Sequence, residues 1–133
     1  MMLSKIGLSL AVFTLSVLPA YVSHAATPPT TVGACSDTFI REIAGRLQDQ
    51  SGNSIDDSGT SVFLTNGINL VDYDIVQAAK AAKPGDKVQL CLKSVPQNCP
   101  PGDTERGKIY TVLNYRTGQS FDMPNSEHRC GGA

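Results

Sequence analysis

Four cysteines, Cys35, Cys91, Cys99 and Cys130, constrain this chain more than any other feature. They all lie beyond an N-terminal stretch that reads as an export signal. Lys5 precedes the apolar run Ile6–Leu18, Pro19 follows, and Ser23-His24-Ala25 sets small residues at the −3 and −1 positions of a cleavage site. Cleavage after Ala25 leaves 108 of the 133 residues. An even number of cysteines in so short an exported chain reads as a two-bridge framework, stapling a core too small to be robust alone. Three connectivities are possible. The preferred one joins Cys91 to Cys99 across a local loop and Cys35 to Cys130 across the two ends of the domain.

The compartment follows from the same segment. Its apolar run of about 13 residues falls short of the ~20 that cross a bilayer as a helix, and no later stretch is longer, so a chain that does not span the membrane is expected. Val32-Gly33-Ala34-Cys35 loosely matches a lipoprotein box, but the polar, proline-containing spacer Ala26–Thr31 separates it from the apolar run. A disulfide role for Cys35 is preferred, and a periplasmic or secreted location is expected. Without the signal the chain carries 10 basic and 12 acidic side chains, a formal −2. That balance disfavours a nucleic-acid partner, whose phosphates call for a basic surface. A zinc site of cysteines and His128 is also disfavoured, because no C-x-x-C pair exists and the setting is oxidising. No cofactor is expected.

Residues 26–34 read as a flexible leader and 35–133 as one domain. After Ser36 or Asp37 as a cap, Ile40, Ile43, Ala44 and Leu47 fall at i, i+3, i+4 and i+7, which predicts a helix over about 37–49. Gln50–Gly59 is turn-rich. Ser61–Thr65 and Ile68–Tyr73 flank Asn66-Gly67, which predicts a hairpin with a type I′ turn. Ile75–Ala82 suggests a short helical turn. Val88, Leu90 and Leu92 alternate as an inward strand face, Ile109–Asn114 is another strand, and Gln119–Met123 a last one after a turn at 115–118. Ser94–Gly107, rich in proline and glycine, cannot be regular. The expected fold class is α+β: an N-terminal helix packed on a small antiparallel sheet, or partly closed barrel, of about five strands with two disulfides.

Several constellations invite chemical readings. Asp57-Ser58-Gly59-Thr60 matches the D-[ST]-G-[ST] loop of aspartic proteases, where two such aspartates share a proton. One copy in a chain this short requires a dimer, and the motif follows a loop instead of an apolar strand, so a solvated turn is preferred. Ser126-Glu127-His128 brings a hydroxyl, a carboxylate and an imidazole together, but sequence neighbours in a tail seldom converge as a nucleophile–base pair needs. Asp72 and Asp74 flank Tyr73 at strand spacing and are expected to project from one side, as a calcium or acid–base pair or as a solvated edge. Phosphate-loop and dinucleotide fingerprints are absent.

The segment Cys91–Asp103 is the most informative. Paired cysteines would hold it as a closed, proline-stiffened loop, and a loop ordered before binding loses less entropy on association. Its tip, Lys93, Ser94, Val95, Pro96, Gln97 and Asn98, is the expected binding loop; a mere connector between strands is the plainer alternative.

Gly85–Leu92, Cys99-Pro100-Pro101-Gly102-Asp103, Arg106-Gly107, Tyr110, Asn114, Arg116-Thr117-Gly118 and the closing His128–Ala133 resemble a group of small exported proteobacterial proteins. The resemblance implies a bacterial periplasmic or secreted setting and no particular activity. The closed loop is also similar in form to the protruding disulfide loop of some periplasmic lysozyme inhibitors. The expected function is therefore a non-enzymatic binding protein with a protein or cell-envelope partner, one version being inhibition of a cell-wall-directed enzyme. A structural envelope protein without a discrete site and a small dimeric hydrolase using Asp57 are the alternatives.

Overall fold

The computed structural model describes residues 7, 9–19 and 26–132. The residues of the apolar run described here, 7 and 9–18, have no regular structure and are exposed, with Phe13 91% accessible. Lys5 and the expected cleavage residues Ser23, His24 and Ala25 lie outside the described residues.

The domain is nearly all β, which corrects the expected α+β class. Strand β1, Cys35–Ala44, occupies the place of the predicted helix. The small elements β2 (Leu47–Gln48) and β3 (Ser54–Ile55) pair as a separate arm. Then come β4 (Thr60–Leu64), β5 (Asn69–Asp72), the single-turn helix α1 (Gln77–Lys80), β6 (Lys87–Ser94), β7 (Ile109–Asn114) and β8 (Ser120–Pro124). Six of these form one antiparallel sheet in the order β5-β4-β1-β6-β7-β8. The sheet curls, so that its two outermost strands, β5 and β8, approach each other.

Strand β1 is where the curl originates. Its first half, Cys35–Phe39, pairs with β6, and its second half, Ile40–Ala44, pairs with β4. At the junction Arg41 and Glu42 together oppose Phe63, a β-bulge. A bulge bends its strand and strengthens the local twist. It also explains the failed helix expectation. Thr38 and Ile40 point inward at the ordinary spacing of two, but the extra residue delays the next core contact to Ile43. A spacing of three then imitates the i, i+3 step of a helix. Leu47, the fourth member of the supposed stripe, is 43% exposed on the arm.

The hairpin at Asn66-Gly67 is present between β4 and β5, with a different turn. Gly67 has φ 92° while Asn66 lies at negative φ, so the turn is not type I′. The Gly67 N–H donates to Leu64 C=O at 3.2 Å and the Leu64 N–H to Ile68 C=O at 3.0 Å, closing a three-residue loop. The inward faces of the sheet build one core from Ile40, Val62, Leu64, Leu70, Val88, Leu90, Leu92, Val112 and Met123, with Ala79 of α1 against it. Part of the leader is docked: Pro29 is buried, and the Gly33 N–H donates to Leu92 C=O at 2.8 Å, extending the β1–β6 ladder.

The bridges are Cys35–Cys91 and Cys99–Cys130. The preferred pairing, Cys91–Cys99 with Cys35–Cys130, is thus overturned. Cys35 and Cys91 are register partners on adjacent strands with Cα atoms 4.0 Å apart. Cys91 is fixed inside β6, between the core residues Leu90 and Leu92, so its side chain faces outward towards β1 and away from the loop that carries Cys99.

Candidate functional site

The irregular segment after β6 does not close on itself; it is fastened to the C-terminal tail. Besides the Cys99–Cys130 bridge, Asp103 accepts two hydrogen bonds from the Arg106 guanidinium, at 2.9 and 2.6 Å, and one from the Gly131 N–H at 2.9 Å. Those donors hold the Asp103 carboxyl well below the usual carboxylate range, the Arg106 contact most of all. Arg106 also donates to Gly132 C=O at 3.2 Å, and the Cys130 N–H to Arg106 C=O at 3.0 Å. Asn125 completes the seam: its Oδ1 accepts from the Gly107 and Lys108 N–H groups at 3.0 and 3.1 Å.

Between loop and tail lies an open cleft of about 360 Å³. Val95 and Pro96, following β6, line it with Ile109 at the start of β7 and Pro124 at the end of β8, the apolar part of its wall. Ser94 and the tail residues Ser126, Glu127, His128 and Arg129 supply a polar rim. Gly107 sits where the two walls converge. It has φ 99°, and a side chain there would meet the Arg129 Cα at 3.3 Å and the Pro96 Cβ at 3.5 Å. Only glycine combines that conformation with so close an approach.

The rim is electrostatically uneven. Glu127 is 3.3 Å from the Arg46 guanidinium, which also donates to Ser58 C=O at 3.0 Å and stacks 4.4 Å from the centre of the Tyr73 ring. The Tyr73 and His128 rings lie 6.5 Å apart, tilted. Among the described residues Arg129 has no ion-pair partner, and its side chain is exposed. Glu127 is thus paired with Arg46, while Arg129 is the rim cation without such a pair among the described residues.

Of the six expected binding-loop residues, Ser94, Val95 and Pro96 line the cleft. Lys93 does not: it is the irregular residue where the β6–β7 register shifts, and it pairs with Asp122 on the outer face of the sheet. Asp122 also accepts from the Thr111 hydroxyl at 2.6 Å, and these two contacts lower its pKa, Lys93 first. Gln97 and Asn98 are exposed beside the cleft and form none of its lining. The contribution of Arg46 and Tyr73 was not legible in the sequence, because nothing local signals that residues 46, 73 and 127 meet.

The other constellations resolve into structural roles. Asp57 is exposed on the turn before β4, while Thr60 of the same motif is buried, donating to Asp74 C=O at 2.9 Å and accepting from the Val76 N–H at 2.9 Å. Strand β5 ends at Asp72, so Asp72 and Asp74 do not project as a strand pair; Asp72 Oδ1 accepts from the Asp74 N–H at 2.9 Å. Ser126 donates to the His128 backbone carbonyl at 2.8 Å, not to its ring. All four cysteine sulfurs are bridged.

A second polar cluster secures the opposite end of the sheet. Asp86, 8% exposed, accepts from Arg116 Nε at 2.7 Å, from Arg116 Nη2 and Asn114 Nδ2 at 2.9 Å each, and from the Lys83 N–H at 2.8 Å. Its carboxyl is held far below the ordinary range, chiefly by Arg116 and then by Asn114. Asn114, fully buried, also accepts from the Arg116 and Thr117 N–H groups. Both carboxylate oxygens of Asp86 are engaged within the protein, so the cluster holds the 83–86 and 114–117 turns together. No family model, curated protein or solved structure matches the chain.

Proposed function

We propose that this is a non-enzymatic binding protein of the bacterial periplasm or exterior, and that the cleft between residues 94–96 and 126–129 is its recognition surface. The observation that carries the reading is the covalent and hydrogen-bonded fastening of loop to tail, through Cys99–Cys130 and Asp103, around an open cleft whose wall is in part apolar. A surface ordered in advance binds without the entropic cost of ordering it. Two disulfides suit an oxidising compartment, and no helix among the described residues is long and apolar enough to cross a membrane. The version in which a loop closed on itself inserts into a cell-wall-directed enzyme loses its geometric basis, because Cys91 pairs with Cys35. Asp57, on an exposed turn outside the cleft, gives the dimeric-hydrolase alternative no support.

The test is site-specific photocrosslinking in intact cells, with the reactive residue in place of Gln97, beside the cleft but outside its lining. A discrete adduct is expected, and it should vanish when Val95→Gly and Pro96→Ser are combined in a chain that still unfolds cooperatively. An adduct that persists in the double variant, or none with either chain, would overturn the assignment.

A further inference from the structure

We infer that the cleft takes a segment of a protein partner in which an apolar side chain stands next to an aspartate or glutamate. The inference rests on the proposed function and specifies the chemistry of its ligand. Size sets the first constraint. A space of about 360 Å³ is near the lower limit of ligand sites, and its open mouth would leave a small free molecule largely wetted. It does accommodate one or two side chains presented by a larger body. The side chains of Val95, Pro96, Ile109 and Pro124 line it with apolar surface, which favours an apolar group against them.

Charge sets the second. The one acidic rim residue, Glu127, is already matched by Arg46 at 3.3 Å, whereas Arg129 has no such partner among the described residues. A guanidinium with a free fork is suited to a carboxylate, which it can engage through two parallel hydrogen bonds. Because Arg129 is on the wall of the cleft, the carboxylate must stand next to the buried apolar group, not several residues away. An isolated apolar side chain would leave Arg129 unmatched, and a basic one would meet it with repulsion.

The probe is a capped hexapeptide, Gly-Ser-Leu-Asp-Ser-Gly, titrated into the full chain while backbone amide shifts are followed by NMR. The amides of 94–96, 107–109 and 126–129 should move, and replacing Asp by Asn in the peptide, or Arg129→Ala in the protein, should weaken binding at least three-fold. Arg129→Glu should reverse the preference, so that a third peptide, Gly-Ser-Leu-Lys-Ser-Gly, binds better than the Leu-Asp one. Unshifted amides elsewhere in each variant show that the fold is intact. Equal binding of the Asp and Asn peptides at the cleft would overturn the carboxylate assignment and leave the recognition surface standing. Absence of shifts at the cleft with every peptide would overturn the inference, while a Gln97 probe that gives no adduct even with Val95 and Pro96 in place would sink the underlying reading as well.

Discussion

Asp86 shows how one residue can gather four hydrogen bonds and still suggest no activity. Its four donors come from three positions, Lys83, Asn114 and Arg116, that are distant in sequence or separated by a turn. Replacing it with alanine leaves the buried Asn114 amide and the Lys83 N–H without an acceptor, and should cost about 2–4 kcal/mol in urea unfolding. The pH dependence has a definite sign. The folded-state pKa values of Asp86 and Asp103 are depressed, so below the ordinary carboxylate value near 4 the unfolded chain binds more protons than the folded one. Stability should be flat from about pH 7 to pH 5 and fall progressively as acid takes the pH through 4 towards 2. Asp86→Asn should flatten that fall; thermal melts across the range measure it, and an unchanged slope would refute the assignment. At this scale the sequence is a poor guide. Asp57 and the Ser126-Glu127-His128 run attract notice because their neighbours in sequence look chemical, whereas Asp86 acquires its role from partners that only the fold brings to it.

Among the elements, β1 carries the main lesson. The alternation of Val88, Leu90 and Leu92 in β6 reads correctly because nothing interrupts its period of two. In β1 the bulge at Arg41 and Glu42 shifts that period, and the same residues satisfy a helical template. A strand serving two partners also has to carry side chains for both halves of a bent sheet, so its pattern changes midway. The two readings separate in a pair of substitutions. On a helical stripe Ile40 and Leu47 would be comparably buried. In the observed strand Ile40 is 1% exposed and Leu47 stands on the arm. Ile40→Ala should therefore destabilise by about 2–5 kcal/mol, and Leu47→Ala by about 0.5 kcal/mol or less. Chemical denaturation of the two variants decides it, and equal losses would argue for the helix.

Across the whole molecule the two bridges divide the labour between sheet and site. Each closes a long loop, spanning 56 residues for Cys35–Cys91 and 31 for Cys99–Cys130. In the chain-entropy model each contributes about 4 kcal/mol, a large part of the 5–15 kcal/mol typical of a domain. Their structural consequences nevertheless differ. Cys35–Cys91 ties two neighbouring strands that the β1–β6 ladder already holds in register. Cys99–Cys130 joins two segments outside the sheet, where without it only hydrogen bonds, chiefly those that Asp103, Arg106 and Asn125 make across the seam, would hold the cleft among the described residues. Replacing Cys99 and Cys130 with serine should lower the urea midpoint yet leave the β-sheet circular dichroism intact, while abolishing the Gln97 crosslink. Replacing Cys35 and Cys91 should lower the midpoint by a similar amount and preserve the crosslink below the unfolding transition. The contrast follows from topology: a similar entropic constraint secures a ladder in one case and the one covalent link between two irregular segments in the other. A Cys35/Cys91 variant that stays folded but loses the crosslink would show that recognition extends over the outer face of β1 and β6, and the cleft alone would no longer account for it.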